Sequence, residues 1–324
     1  MRPEELEAAY HVISRTVNGE RLFDDVSKEV LRKQIWQVSD YCGVQIVTYA
    51  ILDNHFHLVV VIPRKTVVTD EELLRRYRVL YPCPTRYQTA RFEVVTAELA
   101  TNGSRAEEWR RRQLALMGDL SNFVKLVKQR FSIWFNKSHS RFGTLWAERF
   151  KSNLVQPLGL ALATASAYTD LNPVRAGMVN DPKDYRFCGY ADAVAGNERA
   201  RLGIMRLVGS ETWGDAQKAY REKLFSGGAS AQEGEARISD AQLQEVIKTG
   251  GKLPLAAVLR CRVRYFTDGA ILGSQAFVRM QVEAYRQRTG NCQRTSVHAL
   301  PNDLADWHGL ATLRRPREDV AAIG

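Results

Sequence analysis

The spacing of apolar and polar positions along the chain predicts a mixture of strands and helices. Runs rich in β-branched residues predict strands at residues 8–17, 44–52, 55–62 and 149–156. Apolar residues three and four positions apart, and one run of small residues, predict helices at 26–42, 120–136 and 157–171. Between the second and third strands, Asp53-Asn54 has turn-forming residue types, so these two strands are expected to form an antiparallel hairpin.

The order of these elements, β-α-β-β-α-β-α, defines the expected fold class. It is the order of a ferredoxin-like or RRM-like α+β sandwich, with a mainly antiparallel sheet and one additional helix. A polar, arginine-rich stretch at about 66–118 has helical character and is expected to be a helical insertion. We therefore predict one domain over residues 1–190.

The remainder of the chain is expected to form a smaller appendage. Residues 191–236 are interpreted as a connecting segment that ends in a small, polar linker at 226–236. Residues 237–324 predict a basic, mostly helical accessory domain. A Gly-containing turn at 267–273 allows a DNA-binding helix-turn-helix around 267–278. A structural or dimerising appendage is an equal alternative.

Charge and cysteine content narrow the classes of partner and cofactor. The formal net charge of +10 favours a polyanionic binding partner, either nucleic acid or an acidic membrane surface. The alternative is a soluble protein whose positive charge does not serve a partner. No apolar stretch reaches the roughly 20 residues of a membrane-spanning helix, and the N-terminus has no signal-peptide pattern. The five cysteines are scattered without a CxxC pair, so reduced thiols are expected rather than disulfides or a zinc finger. No phosphate-binding loop of the GxxxxGK[ST] type is present, so no nucleotide cofactor is expected.

Two histidines lie within the apolar strand at 55–62. His55 and His57 are two positions apart, so they are expected to share one face of the strand. Two neutral imidazoles side by side supply half of a divalent-metal site, which needs a further ligand, usually an oxygen for Mg²⁺ or Mn²⁺. The alternative is a pair of structural histidines on the sheet.

A second polar pattern follows more than one hundred residues later. Tyr168 and Asn172 are four positions apart, so on a helix they share a face. Asn172 offers a carbonyl oxygen suited to a hard cation, and Tyr168 offers a phenol that becomes a nucleophile if its phenolate is stabilised. The alternatives are a helix-end cap for Asn172 and a core aromatic for Tyr168.

Four segments in order resemble the single-tyrosine HUH transposases and, within them, the REP-associated tyrosine transposases. They read YHVISRTVNGERLF at 10–23, NHFHLVV at 54–60, FVKLVKQRFSIWFNKSHSRFGTLWAERFKSNLV at 123–155, and AYTDLNPVRAGMV at 167–179. The resemblance spans about residues 8–190, apart from the insertion. The HxH pair alone is a weak motif, and its combination with the other three segments in this order is specific.

The resemblance implies a metal-dependent transposase that acts on single-stranded, hairpin-forming DNA. His55, His57 and Asn172 would bind Mg²⁺ or Mn²⁺. Tyr168 would attack a phosphodiester to give a 5′-phosphotyrosine and a free 3′-hydroxyl, and strand transfer would reverse this step. The expected location is the cytoplasm, with association to the nucleoid when DNA is bound, no membrane partner, and a homodimer as an open assembly state.

Basic residues around the central helix are expected to bind the DNA backbone. The DNA-binding candidates are Arg15, Lys125, Lys128, Arg130, Lys137, Arg141, Arg149, Lys151 and Arg175. Aromatic residues are interleaved with them, and exposed aromatics stack on unpaired bases. At helical spacing, however, Phe131, Trp134 and Phe135 are more typical of a core.

Three other functions are open at this stage. A non-catalytic protein with the same fold would only recognise palindromic repeats. An HUH replication-initiator nickase would share the site, but such enzymes usually carry a helicase, and none is expected here because the sequence has no GxxxxGK[ST] loop. A histidine-metal hydrolase would use activated water and would not require Tyr168.

Overall fold

The computed structural model describes residues 7–65, 67–81, 86–225, 270–290, 296–300 and 309–314. This part of the chain divides into two compact units. The helical unit comprises Phe23–Gln45 and Val61–Trp146, and the sheet unit comprises Ala8–Leu22, Ile46–Val60 and the described residues from Ala147 onward.

The elements are mostly those that the sequence predicts. The strands are β1 Ala8–Arg15, β2 Gln45–Ile51, β3 His55–Ile62, β4 Lys151–Val155, β5 Ile271–Ser274, β6 His298–Ala299 and β7 Leu310–Thr312. The first helix and the three helices of the predicted insertion are α1 Asp25–Cys42, α2 Asp70–Leu80, α3 Arg86–Thr101 and α4 Ser104–Leu114. The later helices are α5 Leu120–Ser138, α6 Leu160–Asp170, α7 Asn172–Arg175, α8 Gly189–Val194, α9 Glu198–Val208, α10 Trp213–Phe225 and α11 Gln275–Thr289.

One seven-stranded sheet has the strand order β2-β3-β1-β4-β5-β7-β6. The first four strands in this order give the arrangement of a ferredoxin-like sheet, with β1 between β3 and β4. β1 and β4 are antiparallel, and Ala9 pairs with Val155 at one end while Ile13 pairs with Lys151 at the other. The sheet is mixed and mostly antiparallel, and the predicted α+β fold class is confirmed.

The hairpin between β2 and β3 closes as expected from its residue types. The amide of Leu52 donates to the carbonyl of His55 at 2.8 Å, so Asp53 and Asn54 form the two-residue connection. This tight turn fixes the register of β3, and therefore fixes the face on which its histidines lie.

In the helical unit, α1 has clear start and stop signals. The Asp24 side chain accepts a hydrogen bond from the Ser27 amide at 2.8 Å, which caps the first turn. Gly43 ends the helix in the left-handed conformation, with φ of 65°. Within the same unit, α1 packs against α2 and α5.

The predicted insertion forms α2, α3 and α4, and it is attached to α1 rather than loosely appended. The Tyr41 hydroxyl donates to the Gln113 side chain at 2.7 Å, and the amide of Gly118 donates to the carbonyl of Cys42 at 2.8 Å. Val95, Leu99 and Ala106 are buried in a small core between α3 and α4. The insertion therefore has an apolar core of its own as well as polar anchors on α1.

The described residues of the C-terminal segment include short strands as well as a helix. They contribute β5, α11, β6 and β7, and β5 joins β4 in parallel, with Leu154 opposite Ile271. Strands of two to four residues are too short to show an alternating pattern, so the sequence does not reveal them. The domain boundaries at 190 and 236 stay predictions, and the linker at 226–236 lies outside the described residues.

The helix-turn-helix interpretation of residues 267–278 is wrong over its described part. Residues 271–274 form β5, and α11 follows directly, capped by the Ser274 hydroxyl, which accepts from the Phe277 amide at 3.2 Å. Gly273 marks a close approach rather than a turn, because a Cβ atom there would lie 2.5 Å from the Phe277 ring.

The described residues also show how apolar the helices are and in which state two of the cysteines are. None of the described helices is both long and apolar enough to cross a membrane. Cys42 and Cys188, the cysteines in this part of the chain, are both buried free thiols.

Candidate active site

The sheet brings three histidines together, one more than the sequence predicts. β3 lies next to β1, and residues on the same face of neighbouring strands meet. His11 of β1 lies with its Nε2 atom 3.0 Å from Nδ1 of His57. The rings of His55 and His57 have centroids 5.1 Å apart. The predicted pair therefore forms one cluster with His11.

The backbone carbonyl of Gly19 acts through the Asn54 side chain to fix the hydrogen-bonding state of His55. The Asn54 side-chain nitrogen donates to the carbonyl of Gly19 at 2.9 Å, so its Oδ1 atom is the acceptor end of the amide. That oxygen lies 2.6 Å from Nδ1 of His55. Because a carbonyl oxygen only accepts, Nδ1 of His55 carries the hydrogen, and Nε2 retains the lone pair.

Both predicted ligand histidines are held in their neutral form. Burial, with smaller effects of Arg15 and Arg175, lowers the pKa of His55 to about 4. The pKa of His57 is well below its ordinary value, first because of burial and then because of the neighbouring His55 and His11. Neutral imidazole is the form that binds a metal ion, so protons compete weakly at neutral pH.

Helix α6 brings Tyr168 to the histidine cluster. The helix is built from small residues, and nearly all of it is buried in the sheet unit, where it contacts β4 and β5. The Tyr168 ring, which is half-buried, meets His11 edge-on with centroids 5.7 Å apart and His57 with centroids 6.0 Å apart. The predicted nucleophile and the predicted ligand histidines therefore share one site.

Arg175 and Asn172 hold the end of this helix. The Arg175 guanidinium lies 3.9 Å from the centroid of the Tyr168 ring, and its Nη2 atom donates to the Tyr168 carbonyl at 2.7 Å. The Asn172 side-chain nitrogen donates to the carbonyls of Tyr168 and Thr169 at 3.0 and 3.2 Å. Asn172 thus performs the capping role that was its alternative interpretation, and its carbonyl oxygen is the atom that suits a cation.

The donor set fits a divalent cation of the expected kind. It consists of two neutral imidazoles and one amide oxygen, a combination of nitrogen and oxygen that suits Mn²⁺ and, with added water, Mg²⁺. No group of three His, Cys, Asp or Glu side chains in the described part of the chain is placed to hold a metal. The predicted site would instead combine the two histidines with Asn172, whose residue type lies outside that set.

Asp170 is a buried residue of this region that sequence reasoning missed. Its carboxyl accepts hydrogen bonds from the Thr48 hydroxyl at 2.7 Å, the Tyr190 amide at 3.2 Å and the Tyr220 hydroxyl at 2.6 Å. Burial raises the pKa of Asp170 to about 7, although these hydrogen bonds act in the opposite direction. The residue ties the helix that carries Tyr168 to β2, α8 and α10. An acid inside an otherwise apolar and small-residue helix is the signal that points to it.

In the sheet unit, three of the predicted DNA-binding residues lie together. The amide of Ala147 donates to the carbonyl of Arg15 at 3.0 Å, and Lys151 pairs with Ile13. Arg15, Arg149 and Lys151 therefore share one end of the β1–β4 pair, and all three are exposed. Lys151 also forms a surface ion pair with Glu148 at 3.2 Å.

In the helical unit, the predicted basic residues of α5 have different surroundings. Lys125 and Lys137 are exposed. Lys128 lies over the Trp146 ring at 5.2 Å, and Arg130 donates to the carbonyl of Leu80 at 2.8 Å. Arg130 therefore has a structural contact with the insertion that the sequence did not indicate.

The aromatic residues of this region divide into core and surface. Phe131 and Phe135 are buried, as their helical spacing favoured. Phe142, by contrast, is 95% exposed. It lies in a turn held by two hydrogen bonds, from the Arg141 amide to the Asn136 carbonyl at 2.9 Å and from the Asn136 side chain to the Gly143 carbonyl at 3.0 Å. The turn thus presents an aromatic ring to solvent beside Arg141.

Comparison with known proteins gives this arrangement a family. Residues 6–71, which carry all three histidines of the cluster, match the family described as Transposase IS200 like. Over this segment the chain is similar to the IS200-like transposases. The resemblance to single-tyrosine transposases that the sequence shows is confirmed over these residues. Tyr168 and Asn172 lie beyond the matched residues, so their roles are proposals.

No curated protein matches the sequence. Among solved structures, the chain is similar to one described as a REP-associated tyrosine transposase bound to a REP hairpin, with a TM-score of 0.38 and 14% identity. That match covers 60% of this chain and 85% of the other.

Proposed function

We propose that this protein is a transposase: a metal-dependent single-stranded DNA endonuclease and strand-transferase that cleaves hairpin-forming DNA by tyrosine attack. The observation that carries the proposal is the contact of the Tyr168 ring with the histidine cluster, at centroid distances of 5.7 and 6.0 Å. A nucleophile of this type beside neutral histidines is the arrangement that metal-assisted transesterification requires.

His55, His57 and Asn172 would hold Mg²⁺ or Mn²⁺. When bound, the ion would withdraw negative charge from the scissile phosphate. The protein keeps both histidines in a form that can bind this ion, because Asn54 fixes the tautomer of His55 and burial keeps both rings neutral.

Tyr168 would attack the phosphorus of a phosphodiester. The new bond joins the phenolic oxygen to phosphorus, and the bond from phosphorus to the 3′ oxygen breaks. The phenol loses its proton and the departing 3′ oxygen gains one, which leaves a 5′-phosphotyrosine and a 3′-hydroxyl. Because the phosphotyrosine conserves the phosphodiester energy, another 3′-hydroxyl can reverse the step and join a new strand.

Arg175 would position the nucleophile and supply positive charge. Its guanidinium lies over the Tyr168 ring at 3.9 Å while it donates to the backbone of the same residue. A cation held this close favours the negative charge that develops on the phenolic oxygen and on the phosphate.

The exposed basic residues would bind the DNA backbone. Arg15, Arg149 and Lys151 would do so in the sheet unit, and Lys125 and Lys137 would do so in the helical unit. Phe142 would stack on an unpaired base of the strand. Action on DNA in this way places the protein in the cytoplasm, in contact with the nucleoid.

The test is formation of a covalent protein–DNA adduct. The full chain is incubated with labelled hairpin DNA from the flanks of its own gene, with Mg²⁺, Mn²⁺ or EDTA, and separated on a denaturing gel. Tyr168→Phe and His57→Ala are compared with Tyr285→Phe, a matched control at a tyrosine that is 47% exposed on α11. We expect an adduct that requires the metal, is absent in the first two variants and is unchanged in the control.

Two other outcomes of this experiment would each support a different function. Binding of several hairpins without an adduct, with both metals, would support the recognition-only protein. Metal-dependent cleavage that survives Tyr168→Phe would mean that water or another side chain attacks.

A further inference from the structure

His11 is the member of the histidine cluster that has no assigned role. It is 1% exposed on the central strand β1, where its ring stacks on His57 at a centroid distance of 5.2 Å and meets the Tyr168 ring edge-on. We propose that His11 is a positioning residue. It accepts a hydrogen bond from Nδ1 of His57, which fixes the His57 tautomer, and it packs against the nucleophile. This inference rests on the proposed function, because it concerns the same metal site.

The hydrogen bond between the two imidazoles has only two arrangements. Nδ1 of His57 and Nε2 of His11 are 3.0 Å apart, and a neutral imidazole has one donor nitrogen and one acceptor nitrogen. If His57 donates, its Nε2 atom keeps a lone pair that can bind a metal. If His11 donates, Nε2 of His57 carries a hydrogen and cannot be a ligand. Binding of a metal by Nε2 of His57 therefore requires His11 to be the acceptor.

His55, the neighbouring predicted ligand, also has a hydrogen-bond partner at its Nδ1 atom, but the partner is of a different type. The Asn54 oxygen at 2.6 Å accepts from Nδ1 of His55, and that amide is oriented in turn by Gly19. Each histidine of the HxH pair thus has one partner for its Nδ1 atom, an amide oxygen for His55 and an imidazole for His57. Such outer partners fix the tautomer and ring orientation of metal-ligating histidines.

His11 is placed as a support and not as a third ligand. Its Nε2 atom is already engaged with His57, and no three His, Cys, Asp or Glu side chains of the described residues are arranged for a metal. Its position opposite Asn153 in the β1–β4 pairing holds it in the interior of the sheet rather than at a mobile loop. The strand therefore sets the orientation of its ring, which in turn sets that of His57.

The test compares two replacements of His11 in the full chain. His11→Phe keeps a flat ring against Tyr168 but cannot accept a hydrogen bond. His11→Gln can accept one through its side-chain oxygen. We expect Mn²⁺ binding, measured by calorimetry without DNA, to weaken about 10- to 100-fold in His11→Phe. His11→Gln is expected to recover most of the affinity.

A second measurement reads the tautomer directly. Long-range ¹H–¹⁵N NMR of the wild-type chain with ¹⁵N-labelled histidine is expected to show His57 protonated at Nδ1, with and without a diamagnetic ion such as Mg²⁺. His57 protonated at Nε2 in the Mg²⁺-bound protein would overturn the proposal. This measurement decides the question even if His11→Phe does not fold.

The outcomes separate this inference from the proposed function. Unchanged Mn²⁺ affinity in His11→Phe, or equal losses in His11→Phe and His11→Gln, would overturn the positioning role while the tyrosine mechanism could still stand. Loss of affinity in His11→Phe and its recovery in His11→Gln would support the role even if the wild-type chain formed no DNA adduct. Absence of Mn²⁺ binding by the wild-type chain would overturn it.

Discussion

Asp170 gives the most specific prediction about stability, because its burial sets the direction of a pH effect. The carboxyl is fully buried, and its pKa is about 7, compared with 3.8 in an unfolded chain. Between these values the unfolded chain loses a proton that the folded chain keeps, so stability falls as the pH rises. A difference of about three pH units, at about 1.4 kcal/mol per unit, corresponds to about 4 kcal/mol by pH 7.

Asp170→Asn removes this dependence while it keeps the shape of the side chain. The amide oxygen can still accept from Thr48 and from the Tyr190 amide, and the amide nitrogen can donate to the Tyr220 hydroxyl. We expect the variant to gain stability relative to the wild-type chain by up to about 4 kcal/mol as the pH rises from 4 to 7. The free energy of unfolding is measured with urea at each pH by tryptophan fluorescence.

The comparison between the two proteins isolates Asp170 from the histidines. His55 and His57 have lowered pKa values, so the unfolded chain keeps protons that the folded chain releases, and stability rises with pH through their range. Both histidines are present in both proteins, so their contribution cancels in the difference. Parallel curves for the two proteins would refute the reasoning, because they would show that Asp170 is ionised in the folded chain and that its hydrogen bonds outweigh its burial.

Three other predictions address packing, DNA contact and metal binding. Gly203→Ala places a Cβ atom 2.3 Å from a backbone oxygen of β2 and should cost about 1–3 kcal/mol in urea unfolding. Gly214→Ala, with no atom within 4 Å, should be neutral or stabilising by up to about 1 kcal/mol, and equal effects would contradict the packing argument. Phe142→Ala should weaken binding to a hairpin with a single-stranded tail by about 1–3 kcal/mol in fluorescence anisotropy. Ile133→Ala, also exposed, should leave that binding unchanged, and equal losses would exclude stacking. Because the pKa of His55 is about 4, Mn²⁺ affinity should stay nearly constant from pH 7 to pH 5 in calorimetry, and a steep loss near pH 6.5 would show that the histidines are not desolvated.

Local patterns predicted the parts of the site that lie within single elements. The hairpin turn, the shared face of His55 and His57, and the helix that carries Tyr168 follow from spacing and residue type over a few positions. These features depend on contacts between residues that are close in the sequence, and such contacts are visible in the sequence itself.

Contacts between distant strands were harder to predict. His11 joins His57 only because β1 lies beside β3 and because the two residues share one face of the sheet. The predicted topology already implied the first condition, so the position of His11 within its strand was the missing signal. The partners of Asp170 come from three separate elements, and no pattern within α6 could name them.

The C-terminal strands were missed for a different reason. β5, β6 and β7 have only two to four residues, and their stability depends on the existing edge of β4 rather than on their own apolar pattern. In the sequence a glycine in such a strand resembles a turn residue, although at Gly273 it marks the close approach of the Phe277 ring.

The pairing of β4 with β5 has a consequence for synthesis of the chain. Val155 pairs with Leu272, which a ribosome adds more than one hundred residues later. At a translation rate of about 5–20 residues per second, β5 is synthesised on the order of ten seconds after β4. During that time the strand beside β1 presents unpaired backbone groups, the feature that promotes pairing between nascent chains. During this period the free edge of β4 can therefore pair with a strand of another copy of this chain.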